Sequence, residues 1–127
     1  MGYPQNFSYT ELRCKSGDEC AYPDRLRHLA WTLQLIRDEY GKPIRVNSGY
    51  RSPEYNKEIG GATKSQHMYA RAADLAPWSG RDDDLSDLVN AIERLVITGK
   101  IPNGGIGTYR TFVHYDIRPN GPARWSG

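Results

Sequence analysis

The chain has 127 residues, enough for one domain with a single core and too few for two. Charged residues make up 25% and the net charge is +2, with Lys and Arg scattered rather than gathered in a block, so composition gives no ground for a nucleic-acid partner. No apolar run is long enough to span a bilayer, and the opening Met1-Gly2-Tyr3-Pro4-Gln5-Asn6 lacks the basic start and apolar core of a secretory signal. The expectation is a monomer made in the cytoplasm, with no membrane partner.

Ser8 and Glu11 have the spacing of a capping box, which predicts a short helical turn near the N-terminus. Cys14 and Cys20 lie in a C-x5-C spacing, neither a C-x2-C metal site nor a disulfide framework, and a bridge or two reduced thiols both remain open. Asp24 to Tyr40 is the clearest helix. Leu26, Leu29, Ala30, Leu33 and Ile36 recur at steps of three and four and form one apolar stripe, with Gly41 and Pro43 as stop signals. His28 falls inside it and reads as an ordinary helical side chain.

Ile44 to Ser48 alternates apolar and polar residues and predicts a strand. Ser52-Pro53 reads as an N-cap followed by proline at the first helical position, opening a short helix to Ile59 that Gly60-Gly61 ends. Ala62 to Gln66 is then a loop, and Ala72 to Ala76 a buried strand interrupted by one charge, Asp74. Asp82-Asp83-Asp84 stands just before a second long helix, Leu85 to Thr98, where the helix dipole favours carboxylates. That explanation is simpler than a Ca²⁺ loop. Gly105–Tyr109 and Phe112–Ile117 read as two strands with a tight connection at Arg110-Thr111. The order of elements predicts an α+β fold, helices packed on a small, mainly antiparallel sheet, in a single domain spanning 1–127.

Ser65, His67 and Asp74 stand in an S-x-H-x6-D spacing, and His114 lies in the last predicted strand. Two imidazoles and a carboxylate are a ligand set that Zn²⁺ accepts, and three protein ligands leave a fourth position open. Two of the three also have a plain alternative: Asp74 capping backbone N–H groups, His114 as a cross-strand polar residue. Side chains alternate across a strand, so His114 and Asp116 share one face while Val113, Tyr115 and Ile117 share the other. Tyr50, Tyr69, Tyr109, Trp78 and Trp125 are aromatics available to line a cleft or to fill a core.

Three segments together carry a resemblance. They are Ser48-Gly49-Tyr50-Arg51-Ser52, the S-x-H-x6-D segment, and Gly104-Gly105-Ile106-Gly107 with Phe112-Val113-His114-x-Asp116 and Ala123-Arg124-Trp125. They resemble the zinc D-alanyl-D-alanine carboxypeptidase-like peptidases, the group of murein peptidases and the hedgehog-type fold, in its small phage-associated branch. The resemblance implies that His67, Asp74 and His114 hold Zn²⁺. It implies that Arg51 contacts the substrate's carboxylate or carbonyl, and that Ser65 either donates to substrate or orders the loop. The implied activity is hydrolysis of a peptidoglycan stem peptide, by a D,D-carboxypeptidase or an endopeptidase such as a phage endolysin, at the cell wall or within a virion. The alternative is a module that keeps the fold and zinc without catalysis. Two departures stand out. Ala70 occupies a position where many members have glycine, and Thr111 and Phe112 occupy those that usually supply the catalytic base. Asp116 is the nearest carboxylate on the right face, and is expected either to act as that base or to orient His114.

Overall fold

The structure is a computed structural model, and it describes residues 2–127. The capping box closes as expected: Ser8 and Glu11 satisfy each other's backbone groups around α1, Tyr9–Leu12. Helix α2, Pro23–Tyr40, buries Leu26, Leu29, Ala30, Leu33 and Ile36 completely. It ends at Gly41, whose left-handed φ of 81° lets its N–H reach back to the Arg37 carbonyl. His28 sits on the exposed side. Strand β1 is Ile44–Ser48, and α3, Pro53–Glu58, is capped by Ser52, whose hydroxyl accepts from the Tyr55 N–H.

Beyond α3 the expected loop, Ala62 to Gln66, runs into a 3-10 turn that was not expected, Gln66–Tyr69, which leads into β2, Ala72–Pro77. Helix α4 runs Asp82–Ile97, so the acidic triplet forms its first turn rather than a segment ahead of it. The carboxylates still lie at the positive end of the dipole. Strands β3, Gly105–Thr108, and β4, Val113–Asp116, form the expected hairpin. A further strand, β5, Ala123–Ser126, was not expected and pairs with β3 in parallel.

The sheet order is β1-β2-β4-β3-β5, antiparallel throughout except at the β3/β5 edge. Its two faces follow from strand alternation. Ala73, Leu75, Ile106, Val113 and Tyr115 join the leucines of α2 and Leu88, Ala91 and Ile92 of α4 in the hydrophobic core. The other face carries one row that crosses every strand: Ser48, Asp74, His114, Gly107 and Trp125 are successive register partners. Cys14 and Cys20 are buried free thiols, and Cys14 Sγ accepts from the Ser52 N–H at 3.4 Å.

Candidate metal centre

The row across the sheet brings Asp74 opposite His114, and the 3-10 turn after α3 lays His67 over both. Each imidazole has one nitrogen tied back to the protein. His67 Nδ1 lies 2.8 Å from the Gly49 carbonyl, which can only accept, so Nδ1 carries the proton and Nε2 presents its lone pair. His114 Nε2 lies 2.7 Å from Asp116 Oδ2, which leaves Nδ1 turned inward. His67 Nε2 and His114 Nδ1 then converge on Asp74 Oδ1, at 3.3 and 3.0 Å. Donor atoms of the three residues all lie within 4.8 Å of one another. Two imidazole nitrogens beside one carboxylate oxygen suit Zn²⁺ by donor chemistry, and the carboxylate and carbonyl behind the rings are the outer partners such ligands use.

Burial and hydrogen bonding set the charges. Burial pushes the Asp74 carboxyl up, but the hydrogen bonds to His114 and His67 outweigh it and hold the group well below the ordinary carboxylate range. His67 is lowered, chiefly by burial, against the pull of Asp74. His114 is raised: burial opposes its charge, but Asp116 and Asp74 on either side outweigh that cost.

The three residues lie in a cavity of about 450 Å³. Arg51 lies on its wall, locked in place: its Nε donates to Ser48 Oγ at 3.0 Å, Nη1 donates to Asn56 Oδ1 at 3.2 Å, and Nη2 lies 3.5 Å from Asp74 Oδ2. Ser65 also lines the cavity, and its hydroxyl caps the 3-10 turn by accepting from the His67 N–H at 3.2 Å, which is the loop-ordering role. Of the five aromatics named from the sequence, Tyr109 and Trp125 line it, joined by Phe112, and Tyr69 does not. Tyr50 instead belongs to the core, and Trp78 is exposed beyond the far end of β2.

Of the two roles expected for Asp116, base or orienter of His114, its surroundings match the second. It is fully buried, and its carboxylate faces Arg118, which donates from Nε to Oδ1 at 2.9 Å and from Nη2 to Oδ2 at 2.7 Å. The Gly105 N–H and the ring of His114 fill its remaining acceptor positions. It stands behind His114 rather than in the cavity, with no oxygen left for a water. The one carboxylate lining the cavity among the described residues is Asp74. Arg118 was not singled out in the sequence. Its signal was there to read, two residues after Asp116 and so on the same side of the chain, where a buried carboxylate needs a cation.

A family model described as Peptidase M15 matches residues 5–116. The zinc D-Ala-D-Ala carboxypeptidase of Streptomyces albus G is 46% identical over 84 residues, covering 60% of this chain and 33% of that protein. The chain thus spans about a third of the length of the curated relative it matches. The crystal structure of the Serratia marcescens L-Ala D-Glu endopeptidase ChiX superposes with a TM-score of 0.51 at 18% identity, covering 78% of this chain and 81% of that one, which shows a shared fold. Helices on a mainly antiparallel sheet, a His-Asp-His group on the free face and a family match over most of the sequence agree: the chain belongs to the Peptidase M15 family.

Proposed function

We propose that the protein is a zinc-dependent peptidase that hydrolyses peptide bonds of peptidoglycan stem peptides. The observation that carries this reading is the open ligand set: His67, Asp74 and His114 converge at the floor of a cavity instead of closing around a fourth protein ligand. The activity of the Streptomyces albus G relative, a zinc D-Ala-D-Ala carboxypeptidase, supports the substrate class. When bound, zinc supplies Lewis-acid polarisation of the scissile carbonyl and lowers the pKa of an attacking water toward neutrality.

The chain's own residues do the rest. Asp116, itself held by Arg118, accepts from His114 Nε2 and so keeps Nδ1 aimed inward. Gly49 does the same for His67 through its carbonyl. Arg51 sits with its guanidinium against Asp74, where a substrate carbonyl or carboxylate oxygen can meet its fixed fork of donors. Ser65 fixes the turn that presents His67, and its hydroxyl proton is available to substrate. Tyr109, Phe112 and Trp125 form an aromatic wall along which a peptide can lie.

One observation favours a second reading, a zinc-holding module that binds wall without cutting it: among the described residues, no carboxylate but Asp74 lines the cavity to serve as base. Metal analysis of the purified protein, followed by digestion of sacculi and mass spectrometry of the released muropeptides, separates the two. Zinc together with cleaved stem peptides is the expected result, and zinc with intact sacculi would leave the binder. A lysin in a phage setting fits this activity and rests on the sequence resemblance alone. No helix among the described residues is long and apolar enough to cross a membrane.

A further inference from the structure

Among the polar groups lining the cavity, the Tyr109 hydroxyl is one that neither the metal set nor its supports employ. Gly105 and Gly107 of β3 lie on the cavity face, and Tyr109, two residues on, continues that face just past the end of the strand. Its ring is clamped rather than loose. It stacks on Phe112 with centroids 4.4 Å apart and planes 5° from parallel, and the Tyr109 N–H donates to the Phe112 carbonyl across the hairpin turn. Its hydroxyl oxygen accepts from Trp125 Nε1 at 2.9 Å. The indole that makes this bond is seated against the metal set, its ring centroid 5.1 Å from that of His114.

An indole N–H can only donate, so this bond takes a lone pair of the tyrosine oxygen and leaves the phenolic proton free. No acceptor among the described residues receives that proton. Arg51 and Arg118 line the cavity too, but each is already bonded within the protein, Arg51 with Ser48, Asn56 and Asp74, and Arg118 with Asp116. A hydrogen bond received from the indole also polarises the hydroxyl, which makes it a better donor. Resting on the peptidase reading above, we infer that Tyr109 is a catalytic residue, donating a hydrogen bond from its hydroxyl to the oxygen of the substrate peptide on which negative charge develops during hydrolysis, with Trp125 fixing its direction. The bond is a donation without proton transfer. Its value is greatest in the tetrahedral state, where the oxygen carries charge.

Tyr109→Phe tests this, since it keeps the ring stacked on Phe112 and removes only the hydroxyl. The zinc-loaded variant should turn over stem peptide about 100-fold more slowly with KM changed by less than about threefold, the pattern of a bond made in the transition state. Its zinc content should equal that of the wild type. Calorimetry with a phosphinate dipeptide, whose tetrahedral oxygens imitate that state, should show affinity reduced about tenfold or more, while a product peptide binds as before. Turnover within about threefold of wild type, or unchanged phosphinate affinity, overturns the inference. Should Tyr109→Phe fail to fold, Trp125→Phe leaves the hydroxyl in place and removes the bond that orients it. A loss in kcat of about tenfold at unchanged KM is then expected, and unchanged kcat overturns the inference. A wild-type protein that binds the phosphinate but cuts no stem peptide would overturn the substrate proposal instead, and the affinity comparison would still decide for or against Tyr109.

Discussion

Two carboxylates one strand apart, Asp74 and Asp116, end up with opposite duties because of what faces them. Asp74 Oδ1 meets both imidazoles on the cavity side, whereas Asp116 is closed in by Arg118, the Gly105 N–H and the outer nitrogen of His114. The difference is testable through Asp116→Asn. If Asp116 acts by orienting His114, the variant loses zinc affinity by about 10- to 100-fold in a chelator competition, along with activity. It also loses stability on the order of 3 kcal/mol, because Arg118 is left without its counter-charge. Full zinc affinity with lost turnover would return Asp116 to the role of base. Ala70 presents a second residue-scale question. It is the one non-glycine residue at positive φ among the described residues, at 55°, ending the 3-10 turn that carries His67. That conformation costs alanine about 1–2 kcal/mol, while the methyl it buries contributes about 0.8 kcal/mol. Ala70→Gly should therefore gain less than about 1 kcal/mol, a rise in Tm of a few degrees at most. Ala70→Val, β-branched at a left-handed position in the core, should lose more than about 2 kcal/mol. A thermal melt in which valine is tolerated would mean that the turn relaxes.

At the scale of elements, β5 matters more than its four residues suggest. Strand β3 has to let it in: a Cβ at Gly107 would fall inside contact distance of the Trp125 indole, so only glycine lets the ring lie against the sheet beside His114. Gly107→Ala should cost about 1–3 kcal/mol by overpacking and lift the indole from the site. In a background where Trp31 and Trp78 are phenylalanine, Trp125 fluorescence should shift to the red as the ring meets solvent. An unchanged spectrum and unchanged Tm would show that the indole does not depend on the glycine. Ala123-Arg124-Trp125-Ser126 alternates apolar and polar residues over only four positions, too few to announce a strand, and it pairs in parallel with β3 rather than with a neighbouring segment. Helices α2 and α4 were legible because a stripe repeated over four or five turns is a local property of the chain. The metal set was legible as residue types and faces. Strand alternation put His114 and Asp116 on one face, but no period in the sequence says that Arg118 would occupy the carboxylate. The 3-10 turn, too, is held by tertiary bonds, among them the Arg51 N–H to the His67 carbonyl, and leaves no periodic trace.

Across the whole molecule, a metal would join the loop carrying His67 to the two central strands, β2 and β4, so its binding energy should appear as folding energy. At free zinc about 1,000 times Kd the expected gain is about 4 kcal/mol, and the Tm should rise by on the order of 10 °C. His67→Ala should abolish that rise. Protons compete for the same atoms, and the three groups do so unequally. Asp74 is held ionised far below neutrality and gives up no proton on binding. His67, lowered by burial, is already neutral. His114 alone, raised above 6.5 by Asp116 and Asp74 in spite of its burial, must release a proton before its Nδ1 can serve as a ligand. Zinc affinity should therefore be flat at alkaline pH and fall about tenfold per pH unit once the pH drops through the raised value of His114, beginning above the ordinary histidine range. Chelator competition from pH 9 down to pH 6 measures this directly. One released proton is the expected stoichiometry. A slope of two would mean that His67 is also charged in the free protein, and a flat profile through pH 7 would mean that His114 stands neutral between its carboxylates.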